Sequence, residues 1–207
     1  MNRKLIIFLF LITIFIQCGS SQKQVVVWRP EQPHGGDKIN IRYNSHLEMA
    51  ALSNAENILM ICEIYYEQHD TVLTQPMVKK KNYWRAELQL PSSSYLISIK
   101  FEDDLNRVDD NSGRGWSIIV RDENNKVIEN TYYTLGRIYR GRNRPEALPY
   151  YKKAIEEFKK ELAIFPQNYK TWLELWDAQM ILNKKIGPVI RNQLDSLMNN
   201  NESSYEL

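Results

Sequence analysis

Apolar and polar residues alternate with a period of two in a series of runs along the first two thirds of this chain. Ile39, Ile41 and Tyr43 alternate with Asn40 and Arg42, directly after the turn-forming Pro33-His34-Gly35-Gly36-Asp37. Trp84, Ala86, Leu88 and Leu90 alternate with Arg85, Glu87 and Gln89 until Pro91-Ser92-Ser93 stops the run. Tyr95, Ile97, Ile99 and Phe101 repeat the pattern, and Trp116, Ile118 and Val120 begin a last pair turned at Asp122-Glu123-Asn124-Asn125. Asn57 to Glu67 is longer and more apolar, as suits a strand near the centre of a sheet. Such runs, separated by turn residues, predict an antiparallel β-sandwich over 23–130.

After Asn130 the period changes. Tyr132, Leu135, Gly136 and Tyr139 fall on one helical face. A second helix opens at Pro145 and carries Ala147, Tyr151, Ala154, Ile155, Phe158, Leu162 and Phe165 as far as Pro166. A third starts near Tyr169 with Trp172, Leu175, Trp176 and Met180, and Ile186-Gly187-Pro188 breaks it. The fourth is expected from Val189 to Met198. The fold class predicted is therefore a β-sandwich followed by an all-α region over 131–198, with a disordered polar tail over 199–207.

One apolar stretch fits neither period. Leu5 to Ile16 is unbroken behind the basic head Asn2-Arg3-Lys4. As a helix it would reach about 18 Å, too short for a hydrocarbon core of about 30 Å, so it reads as an export signal. Cys18-Gly19-Ser20-Ser21 follows, and these residues resemble the lipobox of bacterial lipoproteins. The resemblance implies a signal peptide over 1–17, lipid on the Cys18 thiol and a linker over 18–22. It also implies a protein tethered to membrane lipid outside the cytoplasm. Gln17 stands where that family normally has a small residue. Gly19 lacks the Asp that often marks inner-membrane retention there, which favours the outer membrane. The alternatives are an ordinary cleaved signal and an uncleaved anchor.

Charge and cysteine content narrow the function. A net charge of +2 over 207 residues gives no field to steer the protein onto nucleic acid. The Lys79-Lys80-Lys81 run reads as a solvated turn. There are two cysteines, so lipid on Cys18 leaves Cys62 without a disulfide partner, and its phase with Met60 and Ile64 predicts a buried, inert thiol. No Cys-x-x-Cys, Gly-x-Ser-x-Gly, phosphate loop or dinucleotide fingerprint occurs, and His34, His46 and His69 lack metal-ligand spacing. The motifs thus imply no catalytic residue, metal or cofactor.

The helical half resembles tetratricopeptide repeats through Tyr132, Leu135-Gly136, Tyr139, Ala147, Tyr151, Ala154 and Pro166, with Trp172 opening a second unit. The gap from Gly136 to Ala147 is one residue short of that pattern, and the second helix is about two turns long for it. One and a half repeats cannot bury a core alone, so the helices must pack on the sandwich, a partner or a further domain. In the sandwich half, Gly36-Asp37-Lys38-Ile39, Pro76-Met77, Tyr83-Trp84, Leu88-Gln89-Leu90-Pro91, Ile99-Lys100-Phe101 and Val108-Asp109-Asp110-Asn111 resemble the immunoglobulin-like early-set sandwiches of starch-binding modules. With the helices after it, the same series resembles the N-terminal region of bacterial envelope proteins that continue into a thioredoxin-like thiol:disulfide reductase domain. The catalytic cysteines of that family have no counterpart here, so no oxidoreductase activity carries over.

Three groups of side chains are candidates for binding. Asp103, Asp104, Asp109, Asp110 and Asn111 could hold a cation or build a structural loop; EF-hand spacing fails, and Gly113 would supply a positive φ. Aromatic rings could stack a glycan, but Trp84 and Trp116 share phase with core positions, and Val108 occupies the place where the starch modules carry a Trp. Arg137, Tyr139, Arg140, Arg142 and Arg144 could line a groove for an acidic protein partner. The resulting expectation is a non-catalytic, lipid-anchored envelope scaffold or protein-binding module. The alternatives are a truncated or accessory module of a thiol:disulfide reductase system and a glycan-binding module.

Overall fold

Strands form where the alternation lies, because half of each run can be buried against a second sheet while the other half faces water. The computed structural model describes residues 24–67, 69–141 and 148–202. Its strands are β1 (Val26–Arg29), β2 (Lys38–Tyr43), β3 (Ile58–Tyr66), β4 (Asp70–Pro76), β5 (Val78–Lys79), β6 (Trp84–Gln89), β7 (Ser94–Asp103), β8 (Val108–Asp109) and β9 (Trp116–Ile119). One sheet has the order β1-β2-β6-β5; the other has β4-β3-β7-β8, with β9 also on β7. All named pairings are antiparallel.

The inward faces meet as expected from the alternation. Ile39, Ile41 and Tyr43 of β2 and Trp84, Ala86 and Leu88 of β6 join Met60, Cys62 and Ile64 of β3 and Ile97, Ile99 and Phe101 of β7 in one buried core. Tyr43 and Phe101 lie ring to ring at 4.4 Å across the two sheets. Cys62 is buried there, opposite Ile99 on the neighbouring strand, and burial pushes its thiol up to about 12.

Two expectations about the strands need correcting. Tyr95 does not continue the inward row. Tyr65 pairs with Leu96 but Tyr66 with Ser94, so Tyr95 is an extra residue in β7 and the register slips by one. Tyr95 and Leu96 are consequently buried together on the outer side of the sheet, against Leu135. The expected strand beyond Asp122 is reduced to an isolated bridge between Arg121 and Val127. Asp122 takes the N–H groups of Asn124 and Lys126 with its own carboxylate, which closes the turn too tightly for a longer ladder.

The helices are α1 (Thr131–Arg140), α2 (Leu148–Ile164), α3 (Tyr169–Leu182) and α4 (Gly187–Glu202), with a three-residue 3₁₀ turn at Lys184–Ile186 before the last. Ala154, Phe158 and Leu162 of α2 pack with Leu175 and Ala178 of α3 and with the partly buried Tyr133 and Tyr139 of α1. α1 approaches α2 so closely at Gly136 that a Cβ there would stand 2.3 Å from the Phe158 ring. On its other side α1 covers the bulged sheet. Leu135 packs on Tyr95 and Leu96, and the hydroxyls of Tyr95 and Thr134 are hydrogen-bonded at 3.0 Å. Packing on the sandwich is thus the option that α1 realises.

α4 starts earlier and ends later than the sequence suggests. Pro188 sits in its first turn, where a missing N–H costs nothing, and the helix passes through Asn199-Asn200-Asn201 to Glu202. Extending a nucleated helix adds one hydrogen bond per residue, which outweighs the weak propensity of Asn (about 0.7 kcal/mol below Ala). Residues 203–207 of the expected tail lie outside the described residues.

Candidate functional site

One flank of the sandwich, the cleft beside α1 and α3, and the last two helices hold the candidate chemistry. On the flank, the β7–β8 turn and the β8–β9 loop are built by the acidic cluster. Asp103, buried, receives the backbone N–H groups of Leu105 and Arg107 on Oδ1 and the Arg107 guanidinium on Oδ2. Asp109, also buried, receives the Tyr43 hydroxyl at 2.6 Å and the Ala51 N–H at 2.9 Å, and so fastens the Ala50–Leu52 segment to the sandwich. Asp110 accepts the N–H of Gly113, whose φ of +80° lies in the region glycine favours. Asp104 is exposed. The cluster does not converge: among the described residues no three His, Cys, Asp or Glu side chains are placed to hold a metal ion.

Burial alone would raise the Asp103 carboxyl. The Arg107 guanidinium and the two backbone N–H groups outweigh it and hold the group below its ordinary 3.8. Its contribution to stability is therefore present above that value and lost as the pH falls below it. Arg107→Gln is expected to unfold at lower denaturant than the parent chain at pH 6, and the gap to close as the pH is taken below 3.8. A gap unchanged in acid would mean that the pair does not stabilise the turn.

Beside this loop lies a groove of about 690 Å³. Trp28 of β1, Trp116 of β9, Met49 and Val108 form its apolar walls, and Asp110, Asn111 and Arg114 its polar rim. Sequence phase placed Trp116 in the core, but it is only half-buried, with one side on Phe101 at 5.4 Å. Arg114 is held by Asn111, through the backbone oxygen at 3.0 Å and the side-chain oxygen at 3.1 Å. Nothing in the sequence pattern joins Trp28 to Trp116, because β1 and β9 belong to different sheets. Trp84, by contrast, is buried.

A second cleft, of about 620 Å³, separates the β3–β4 end of the sandwich from α1 and α3. Its helical wall offers Arg137 and Lys170, both near the Tyr133 ring, and its strand wall Glu63, Glu67 and Asp70. The basic set expected to line a partner groove is split. Arg137 faces this cleft. Arg140 instead forms ion pairs with Glu174 and Asp177 of α3, and Tyr139 packs into the helical core beneath Lys153. The acidic partners of Arg140 come from more than thirty residues downstream, which no local pattern discloses. Arg142 and Arg144 lie outside the described residues, as does Cys18.

The last two helices leave large apolar side chains in water. Leu173, Met180 and Ile181 of α3 and Val189, Leu194 and Met198 of α4 are all exposed, although Trp176 is buried between the helices and donates to Gln193 at 2.8 Å. Among the described residues no helix is long and apolar enough to cross a membrane.

No family model matches the chain, and no curated protein matches it. Among solved structures it is similar to a cycloalternan-degrading enzyme from Trueperella pyogenes, at 12% identity and a TM-score of 0.33. The likeness covers 50% of this chain and 13% of that one, too little to carry an argument about fold or activity.

Proposed function

We propose that this is a non-catalytic binding protein of the cell envelope, tethered by lipid on Cys18, whose helical end docks another protein. In this reading the sandwich is of the immunoglobulin-like early-set type and the helices are tetratricopeptide-like. The close approach of α1 and α2 at Gly136 supports the second assignment, since small residues at that step let paired helices pack tightly. The observation that carries the docking reading is the exposure of six large apolar side chains on α3 and α4. Leu173 with Met180, and Leu194 with Met198, fall on common faces of their helices, and neighbouring exposed apolar side chains of this kind mark interaction sites. A photo-crosslinking side chain at Leu194 is expected to give a discrete adduct in intact envelopes, and one at Asn124 none. No adduct at Leu194 would end the docking reading. Mass spectrometry of the mature N-terminus tests the anchor separately, by whether the chain begins at an acylated Cys18.

A glycan-binding reading is favoured by one observation, the meeting of Trp28 and Trp116 in a groove rimmed by Asp110, Asn111 and Arg114. Indole fluorescence that stays flat during titration with glucans would remove it. The accessory thiol:disulfide reading draws nothing from Cys62, which is buried with its thiol pushed up to about 12, far from the thiolate form that exchange requires.

A further inference from the structure

The most unguarded element of the sandwich is β4. Among the described residues it is an edge strand, paired with β3 on one side only. Met60, Cys62 and Ile64 of β3 face the core and stand opposite Gln75, Leu73 and Thr71, so these three are the inward residues of β4. Leu73 nevertheless remains 40% exposed, and outward Val72 63%. The other sheet ends on β5, which has two residues against the seven of β4. From Thr71 to Gln75 the strand carries no charge, proline or glycine, and its pairing with β3 has no bulge. Those are the devices that normally keep an open edge from pairing.

The charges at the two ends of this edge are opposite. Glu67 and Asp70 stand at its start, and Lys80 and Lys81 follow its end beyond β5. None of the four makes an ion pair among the described residues. A parallel neighbour of the same sequence would set like charges together, whereas an antiparallel one sets acidic end against basic end.

We infer that β4 is a self-pairing edge: a second copy of this chain adds its own β4 antiparallel across a two-fold axis at Leu73. Centring on Leu73 pairs the strand over its whole length, with Val72 opposite Thr74, Thr71 opposite Gln75 and Asp70 opposite Pro76. The two Leu73 side chains then cover each other on the inward side, the outward N–H and C=O groups of Val72 and Thr74 pair reciprocally, and the Asp70 N–H meets the carbonyl of Pro76, which has no N–H of its own to give. Lys79-Lys80-Lys81 gains a role beyond a solvated turn, because Lys80 and Lys81 select the orientation.

Cysteine pairing tests the register in the full chain. Directly opposite residues in an antiparallel pair have Cβ atoms about 4.5–5.5 Å apart, within reach of a disulfide after small adjustment. Under mild oxidation Leu73→Cys is expected to give most of the chain as a dimer on a non-reducing gel. The parent chain, with Cys62 buried, sets the background. Thr71→Cys and Gln75→Cys should each stay at that background alone and form a dimer only when mixed. No dimer at Leu73→Cys, equal dimer at all three positions, or capture of a different protein in place of a second copy would overturn the inference. Reversing Lys80 and Lys81 to Glu should lower the Leu73→Cys dimer at least fivefold, and adding Glu67→Lys with Asp70→Lys should restore it. Unchanged yields would show that charge does not set the pairing.

Discussion

Replacing Glu161 with alanine is expected to unfold the helical half while the sandwich persists. Glu161 is a fully buried carboxylate on α2, and it receives the backbone N–H groups of Asn130 at 2.6 Å, Tyr132 at 3.0 Å and Tyr133 at 3.3 Å. The Asn168 amide donates to it as well, at 3.1 Å. One side chain thus satisfies the start of α1 and ties it to α2 and to the turn before α3. Alanine leaves these donors buried without acceptors and removes the negative charge from a helix N-terminus. Both effects oppose folding, by about 3–5 kcal/mol together. Differential scanning calorimetry should show a separate helical transition at lower temperature. Glu161→Gln, which keeps one acceptor oxygen but brings an amide into a ring of donors, should lose roughly half as much. A single transition unchanged in temperature for the alanine variant would refute the assignment.

Gly136→Ala is the second large effect, and its sign separates packing from propensity. In an exposed helix interior this change would gain about 1 kcal/mol. Here the new methyl would lie 2.3 Å from Cε1 and 2.6 Å from Cδ1 of Phe158, a fully buried ring. α1 is also fixed on its far side by Leu135 against Tyr95 and Leu96, so it cannot simply retreat. The contact wins, with an expected net loss of about 2 kcal/mol, or about 4–8 °C in the melting temperature. In a Phe158→Leu background the same substitution should become neutral or stabilising, and this double-mutant cycle isolates the contact. Equal losses in both backgrounds would place the cost elsewhere.

The strands are readable because β2 and β6 keep a strict period over six residues and β3 is a nine-residue, largely apolar run, long enough for burial to impose one register. The alternation conceals the outward turn of Tyr95, because a bulge is one inserted residue and leaves the local pattern intact on both sides. Glu161 was hidden in a Lys-Glu-rich stretch, where Lys160 does pair with Glu157 on the surface. A signal for it existed: position 161 shares a helical face with Ala154, Phe158 and Leu162, so a carboxylate there had to be buried and bonded. The groove around Trp28 and Trp116 and the ion pairs of Arg140 had no such signal. Both join residues whose proximity is set by topology alone. The exposure of Leu73 on the edge strand β4 was equally invisible, because the strand order that leaves β4 at an edge is set by topology.

α1 is not self-sufficient, and that fixes an order of events in the life of the chain. Asn130 adopts a left-handed backbone, φ +74°, and offers the helix no side-chain cap, while the oxygens that receive its first N–H groups arrive 31 positions later. Ten residues are too few to hold a helix unaided in water. During translation Thr131–Arg140 therefore stays unsettled until α2 has emerged, whereas the strands are complete by Ile119 and wait as a template. Nascent chains halted at residue 150 are expected to protect the amides of β3 and β7 but not those of α1.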